Sequence, residues 1–232
     1  MHNRSKLGIV AAVTVVVAVA CGSGPVEPSV APVATASPVA EGATPPLGEG
    51  PLEPGRYALD WDGPPMTLEV PAGWDGTVAG VGKFADDADV AWGGWSEPVT
   101  RVFGDACQDR DDHVAVDGTL QGLVDALDAQ GSTDATITDV TIGGYAGKRS
   151  VLAPSPGVGE ATCQTGDPGL LQIWEGPPGV GYFALTPGAS GRVDIVEKDG
   201  GLVTFVGVVG AAAAASDLAE LDAIIASSEF GT

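Results

Sequence analysis

Between residues 55 and 232 the chain repeats one pattern, a short apolar run of strand length followed by a turn rich in glycine or proline. Such runs are typical of β-strands that pair as hairpins, whereas a helical bundle needs long windows free of both residues. The chain holds 35 glycines and 18 prolines among 232 residues, which excludes a coiled coil or a long helical bundle. The pattern therefore predicts a domain dominated by antiparallel strands.

The predicted strands form a first hairpin, a glycine-rich middle region and a later series. The hairpin joins residues 56–62 to residues 66–70 across a Gly-Pro-Pro turn. The middle region covers residues 78–103, and we expect Gly93, Gly94 and Pro98 to interrupt it, because glycine and proline weaken a strand interior. The later strands are predicted at residues 136–142, 148–152, 170–174, 182–185, 192–197 and 202–208.

The first of two predicted helices covers residues 120–130. Apolar residues recur there at helical spacing, Thr119 or Asp117 can cap its start, and Gly131 ends it.

The second predicted helix closes the chain at residues 217–226. Ser216 is its expected cap, and Leu218, Leu221 and Ile225 are expected to point inward. The alanine run before Ser216 can extend this helix backward, since alanine has the best helix propensity. We therefore expect an α+β fold, a single domain in which helices cover one face of a mostly antiparallel sheet.

Residues 22–54 differ in composition from everything that follows. They contain eight prolines, no aromatic residue and no Lys or Arg. Such a segment cannot bury enough apolar surface to offset its ordering entropy, and its prolines favour an extended polyproline conformation. We expect a tether with a reach of about 100 Å, at about 3.1 Å per residue, followed by the folded domain at residues 55–232.

The N-terminus has the pattern of an export signal. Basic residues Arg4 and Lys6 precede an uncharged apolar run at residues 7–20, which is shorter than the roughly 20 residues of a membrane-spanning helix. Ala18-Val19-Ala20-Cys21 resembles the bacterial lipobox, in which the cysteine receives a diacylglycerol and the chain is cut just before it. The resemblance implies a signal peptide at residues 1–20 and a lipid anchor on Cys21, at the extracytoplasmic face of the membrane. An ordinary cleaved signal with a coincidental cysteine is the alternative.

The charge balance limits the class of partner. The chain carries 10 basic and 31 acidic residues, for a formal net charge of −21. A phosphate backbone must be met by clustered Lys and Arg, so we expect no nucleic acid partner. An acidic domain is also repelled by anionic lipids and wall polymers, and it is compatible with a cationic partner.

Few residues point to catalysis or to a cofactor. Beyond the signal, His113 is the only histidine, and no G-x-S-x-G motif accompanies it, so we interpret it as a surface residue. Residues 86–89 and 105–112 are rich in Asp but lack the spacing of a calcium loop, which favours solvated loops. Residues 179–184 match G-x-G-x-x-A by letters but lead into a predicted strand rather than a helix. We expect no cofactor, no metal and no catalytic site.

Trp92 and Trp95 flank Gly93-Gly94 and are the candidate ligand-binding residues. Exposed tryptophans can stack on a sugar ring or line an apolar groove. The alternative is that one or both belong to the core around a β-bulge.

The three cysteines divide into one lipidated thiol, Cys21, and one pair, Cys107 and Cys163. Outside the cell such a pair is expected to form a disulfide. Two free thiols are the alternative.

Several short motifs extend this interpretation to a family. They include Gly55-Arg56-Tyr57, the Val70–Trp74 turn, the Val99–Cys107 segment, Val140–Lys148 and the closing Ser227–Phe230. Together they are similar to a group of secreted actinobacterial lipoproteins of unassigned function. In architecture the prediction also resembles the Mog1/PsbP sandwich. These resemblances imply a fold and no substrate.

Two functions remain open. The first is a membrane-anchored extracytoplasmic lipoprotein whose non-catalytic domain binds a small ligand or an envelope protein. The second is a hydrolase that acts on cell-envelope material through carboxylates alone, which requires two carboxyl groups in a cleft and one raised pKa.

Overall fold

The computed structural model describes residues 44–61, 63–78, 80–85, 88–96, 99–108, 112–158, 163, 170–175, 182–186 and 188–231. They belong to one compact unit that covers residues 39–232. The predicted signal peptide, Cys21 and residues 22–43 of the tether lie outside the described residues. Within the described ranges no helix is long and apolar enough to cross a membrane.

The described residues form a sheet-dominated α+β domain, as predicted. Its strands are β1 (Gly50–Pro51), β2 (Gly55–Leu59), β3 (Met66–Val70), β4 (Asp75–Thr77), β5 (Gly80–Ala85), β6 (Ala88–Ser96), β7 (Arg101–Phe103), β8 (His113–Ala115), β9 (Thr133–Ile142), β10 (Tyr145–Pro154), β11 (Leu171–Glu175), β12 (Tyr182–Leu185), β13 (Ser190–Lys198), β14 (Gly201–Val209) and β15 (Glu229–Phe230). Its helices are α1 (Leu120–Asp128) and α2 (Ala215–Ala226).

The strands assemble into three sheets. An eight-stranded sheet has the order β1-β4-β5-β6-β14-β13-β10-β9. A four-stranded sheet has the order β12-β11-β7-β8, and a three-stranded sheet has the order β15-β3-β2. All pairings between these strands are antiparallel, which confirms the prediction of hairpin-linked strands.

Both faces of the eight-stranded sheet are covered, contrary to the expectation that helices pack on one face. On β13, Val193 and Ile195 belong to one apolar cluster, together with α1 and the four-stranded sheet. The alternate residue Val196 belongs to a second cluster, together with α2 and the three-stranded sheet. Since successive strand residues point to opposite faces, α1 and α2 lie on opposite sides of this sheet. Helices cover both faces because the central strands are apolar on both.

Strand β6 runs through Gly93 and Gly94 without a break, which corrects the predicted interruption. The register with β5 is regular there, and the irregularity lies between Lys83 and Phe84. Leu221 of α2 occupies the space that a side chain on Gly93 would need. The absence of a side chain on Gly93 therefore lets α2 approach the sheet.

The two helices are capped at their N-termini in different ways. Thr119 caps α1 as predicted, since its side-chain oxygen accepts a hydrogen bond from the Gly122 amide at 2.9 Å. The prediction for α2 was wrong in two respects. Ser216 lies inside the helix, and its capping role passes to Asp217, whose Oδ2 accepts from the Ala214 amide at 2.8 Å. Leu218 is 40% exposed, and Ile224 is buried in its place.

The folded unit begins earlier than the composition indicates. The Leu47 amide donates to the Ala58 carbonyl at 2.8 Å, and the Leu52 amide donates to the Trp74 carbonyl at 3.0 Å. Gly50 and Pro51 then pair with β4. Residues 45–52, assigned to the tether by composition, therefore connect the three-stranded sheet to the edge of the eight-stranded sheet.

Cys107 and Cys163 lie at disulfide distance, as predicted, with Cα atoms 4.4 Å apart. Both are buried in the cluster that contains α1. The bridge links the segment after β7 to the segment before β11.

Candidate functional site

Trp92 and Trp95 lie on opposite faces of the eight-stranded sheet. Trp92 packs against the cluster on the α1 side, and its indole N–H donates to the Thr77 hydroxyl at 3.4 Å. Trp95 packs against the cluster on the α2 side and meets Trp61 edge-on, with ring centroids 6.3 Å apart. The two tryptophans are three positions apart along a regular strand and therefore point to opposite faces, so the two indoles cannot contact one ligand surface together.

Trp95 lines a small cavity beneath α2. Apart from Ser228, the residues that line it are apolar or aromatic side chains and glycines, including Phe205 on the sheet and Leu221 on the helix. Ser228 is 1% exposed, and its hydroxyl has no hydrogen-bond partner among the described residues. The space holds about one water molecule, so the cavity is too small for an organic ligand in this conformation.

His113 lies at the edge of the four-stranded sheet, where its ring packs against Phe103 with centroids 4.7 Å apart. Its Nε2 atom is 3.7 Å from Glu175 Oε2, and Arg101 donates to the same carboxylate oxygen at 3.0 Å. No described serine, threonine or cysteine is hydrogen-bonded to this ring. The arrangement therefore lacks the nucleophile–base contact of a hydrolytic triad.

One ion-pair cluster joins α2 to β5. Lys83 Nζ donates to Asp217 Oδ1 at 2.7 Å and to Glu220 Oε2 at 3.1 Å, and the Trp74 indole donates to the same Glu220 oxygen at 2.9 Å. The hydrogen bond from Lys83 lowers the pKa of Asp217, and those from Trp74 and Lys83 lower the pKa of Glu220. In return, the two carboxylates raise the pKa of Lys83. Each group is thus held in its charged form.

A second, more buried network joins α2 to β13 and β10. The fully buried Asp194 accepts from Arg149 Nε at 2.6 Å and from Arg192 Nε at 2.7 Å. Asp222 of α2 forms ion pairs with both arginines. Desolvation lowers the pKa of Arg192. The buried negative charge of Asp194 is compensated by the positive charges of two guanidinium groups. The network is therefore a structural element rather than a site open to an anion.

The described carboxylates give no support to acid catalysis. Wherever their pKa is shifted it is lowered, as for Asp117 beside the Thr119 hydroxyl and for Glu229 beside Arg56. A general acid would need the opposite shift. Among the described residues no three His, Cys, Asp or Glu side chains gather as metal ligands would. Residues 86–87, 109–111 and 179–181 of the sequence-predicted loops lie outside the described ranges.

Strand β9 is the longest strand at the edge of a described sheet. It ends the eight-stranded sheet and pairs with β10 on one side, and no other strand in the described part of the chain pairs with it. It has 10 residues, whereas the other strands that end a described sheet have two to five. Sequence reasoning predicted a strand here but had no signal for its place at the edge.

The hairpin turn fixes which backbone groups of β9 point outward. Gly143 and Gly144 form a two-residue turn with positive φ values of 58° and 85°. In such a hairpin the flanking pair, here Ile142 and Tyr145, is hydrogen-bonded. Even-numbered residues of β9 therefore bond to β10, and odd-numbered residues turn their N–H and C=O groups toward the open edge. These groups are a template for another strand.

The side chains along this edge are mostly polar. Thr136 and Thr138 are exposed on the α2 side of the sheet. The two acidic residues are engaged within the chain, since Asp139 accepts from Lys148 at 2.6 Å and Asp134 accepts from Ser155 at 2.8 Å.

The β9 edge and β1 lie at opposite edges of the eight-stranded sheet. The eight-stranded sheet begins with β1, which follows the tether, and ends with β9. Seven strand spacings separate them, which amounts to about 34 Å.

No family model matches the chain, and neither a curated protein nor a solved structure matches it. The similarity to actinobacterial lipoproteins and to the Mog1/PsbP sandwich stays a prediction. The functional proposal is therefore based on the geometry of the described residues.

Proposed function

We propose that this protein is a membrane-anchored extracytoplasmic lipoprotein whose non-catalytic domain binds a protein partner through the open edge of β9. The observation that carries the proposal is the length of that edge, which offers outward N–H and C=O groups along 10 residues. Addition of a strand would satisfy these groups, as in other domains that bind extended peptides.

The anchor and the site are compatible in this arrangement. The predicted tether, residues 22–54, is shortened because the domain begins at residue 45, and residues 22–43 supply a reach of about 70 Å. β1 and β9 are opposite edges of one sheet, so the described residues that follow the tether do not pair with the β9 edge.

The small ligand is the second candidate, favoured by the unpartnered Ser228 hydroxyl in the cavity beside Trp95. It ranks lower because α2 would have to move before the cavity could hold an organic molecule. The carboxylate hydrolase ranks lower still, because the shifted carboxylates in the described ranges are lowered in pKa.

Photo-crosslinking in intact cells tests the proposal. A benzophenone amino acid at Thr138, exposed on β9, is compared with the same probe at Ala219, exposed on α2. We expect an adduct with one protein, identified by mass spectrometry, from position 138 only. Equal adducts at both positions, or none at position 138, would contradict the proposal.

A blocking variant shows whether the adduct depends on the strand edge. Asp139→Pro removes an outward N–H without removing a bond to β10, so we expect the adduct at position 138 to disappear. Asp139→Ala removes the same carboxylate but keeps the N–H, so it should retain the adduct. Retention of the adduct in the proline variant would exclude strand addition.

A further inference from the structure

The threonines of β9 are placed symmetrically about its centre. They occupy positions 133, 136, 138 and 141, two on each side of Ile137. Ile137 is odd-numbered, so its N–H and C=O groups point outward. Two copies of β9 can therefore pair antiparallel with Ile137 opposite Ile137, in phase with the outward hydrogen-bonding groups of both strands.

We infer that the strand received by this edge is β9 of a second copy of this chain; this inference rests on the proposed function and names its partner. In the centred register, Thr136 lies opposite Thr138 of the other copy, and Thr133 lies opposite Thr141. The exposed Thr136 then faces the exposed Thr138 of the other copy on both sides of the centre, a cross-strand pairing that stabilises antiparallel sheets. The buried Thr133, in contrast, keeps its hydrogen bond to the Gln130 carbonyl.

The same register keeps the acidic residues apart. Asp139 lies opposite Ala135 of the other copy, and Asp134 lies opposite Val140. Both carboxylates also keep their partners within their own chain, Lys148 and Ser155. A shift by two residues toward the C-terminal end of β9 keeps only one threonine match, Thr138 opposite Thr138, and a shift by four sets Asp139 against Asp139. Charge and side-chain pairing therefore favour the centred register.

The membrane anchor supports this pairing. Strand pairing alone buries little surface, and the acidic net charge opposes association in free solution. Anchoring both copies in one membrane raises their effective concentration without any new contact. In the paired dimer the two β9 strands lie in the middle of a continuous sheet, and the two β1 strands lie at its outer edges. The inferred partner is thus the β9 edge of an identical chain that is anchored in the same membrane.

Site-directed disulfide formation tests the register. Thr136→Cys and Thr138→Cys are made as separate variants of the full chain with different epitope tags, and they are expressed alone or together in a host that attaches lipid to the chain. In the centred register, positions 136 and 138 form a non-hydrogen-bonded pair with Cα atoms about 4.5 Å apart. Two copies of the same variant keep their new cysteines beyond the roughly 7 Å that a disulfide spans.

We expect an intermolecular disulfide containing both tags after mild oxidation of membranes from co-expressing cells, and at most a tenth as much from either variant alone. Equal dimer formation by the single variants would overturn the register, and no mixed dimer would overturn the second copy as partner. In the latter case, an adduct from position 138 with a different protein would leave edge binding intact. If neither the mixed dimer nor the adduct from position 138 forms, the inference and the proposed function are both refuted.

Discussion

Leu221 of α2 packs directly over Gly93 of β6. A methyl group built on Gly93 would come within 2.5 Å of the Leu221 Cδ1 atom, and one on Gly207 of the neighbouring strand would come within 3.1 Å of its Cδ2 atom. Two paired glycines thus form a depression in the sheet that receives one leucine of the helix. This fit, more than any capping residue, determines how closely α2 approaches.

We expect Gly93→Ala to lower the free energy of unfolding by about 1–3 kcal/mol, because the added methyl group overpacks the contact with Leu221. Urea denaturation of the purified protein measures the effect. Gly55→Ala is the matched control, since nothing lies within 4 Å of its added methyl group. If Gly93→Ala lowers the free energy of unfolding no more than the control does, α2 shifts to accommodate the methyl group without a cost in stability.

Removal of the disulfide should destabilise the domain. Cys107 and Cys163 are 56 residues apart, and a loop of this length restricts the unfolded chain by about 4 kcal/mol on the chain-entropy model. We expect Cys107→Ala with Cys163→Ala to lower the unfolding free energy by an amount of this order. Mass spectrometry of a non-reduced digest should show the two cysteine peptides joined. Complete alkylation of both thiols without reductant would refute the bridge.

The cluster of Lys83, Asp217 and Glu220 should make stability depend on pH in a defined direction. The carboxylates have lowered pKa values in the folded state, so their contribution is present above their unfolded values, about 4, and is lost as the pH falls through the folded values. Lys83 has a raised pKa, so its contribution is present below about 10.4 and is lost as the pH rises through the folded value.

Asp217→Asn with Glu220→Gln should therefore be less stable than the natural chain at pH 7, and the difference should shrink toward pH 2. Chemical denaturation at several pH values measures this trend. Asp128→Asn, an exposed carboxylate on α1, serves as the control and should follow the natural chain. A difference that stays constant from pH 7 to pH 2 would mean that packing rather than charge sets the effect.

Replacement of the predicted lipidation residue should release the protein. In a host that attaches lipid to exported proteins, we expect Cys21→Ser to move the chain from the membrane fraction into the medium, because two acyl chains supply the anchoring energy. Immunoblots of the two fractions measure the distribution. Ser23→Ala, a change close to the predicted lipidation residue, is the control and should leave the chain with the membrane. Retention of Cys21→Ser would refute anchoring through this thiol.

The sequence by itself determined the local elements of this domain. Turn residues located hairpins, such as the Gly-Pro-Pro turn that joins β2 to β3. Apolar spacing located α1 and limited its cap to Thr119 or Asp117, of which the structure uses Thr119. The cysteine count identified the Cys107–Cys163 pair. Each of these signals depends on a few neighbouring residues or on a simple count, so it can be interpreted without knowing where distant segments lie.

Only the tertiary structure decided how these elements are layered. The placement of α1 and α2 on opposite faces, the separation of Trp92 from Trp95, and the position of β9 at an open edge all depend on strand order. Strand order results from burial of both faces of β13 and β14. All apolar segments of the chain compete to cover these two faces. Local periodicity indicates that a residue is buried, but the partner that buries it is chosen by the whole chain.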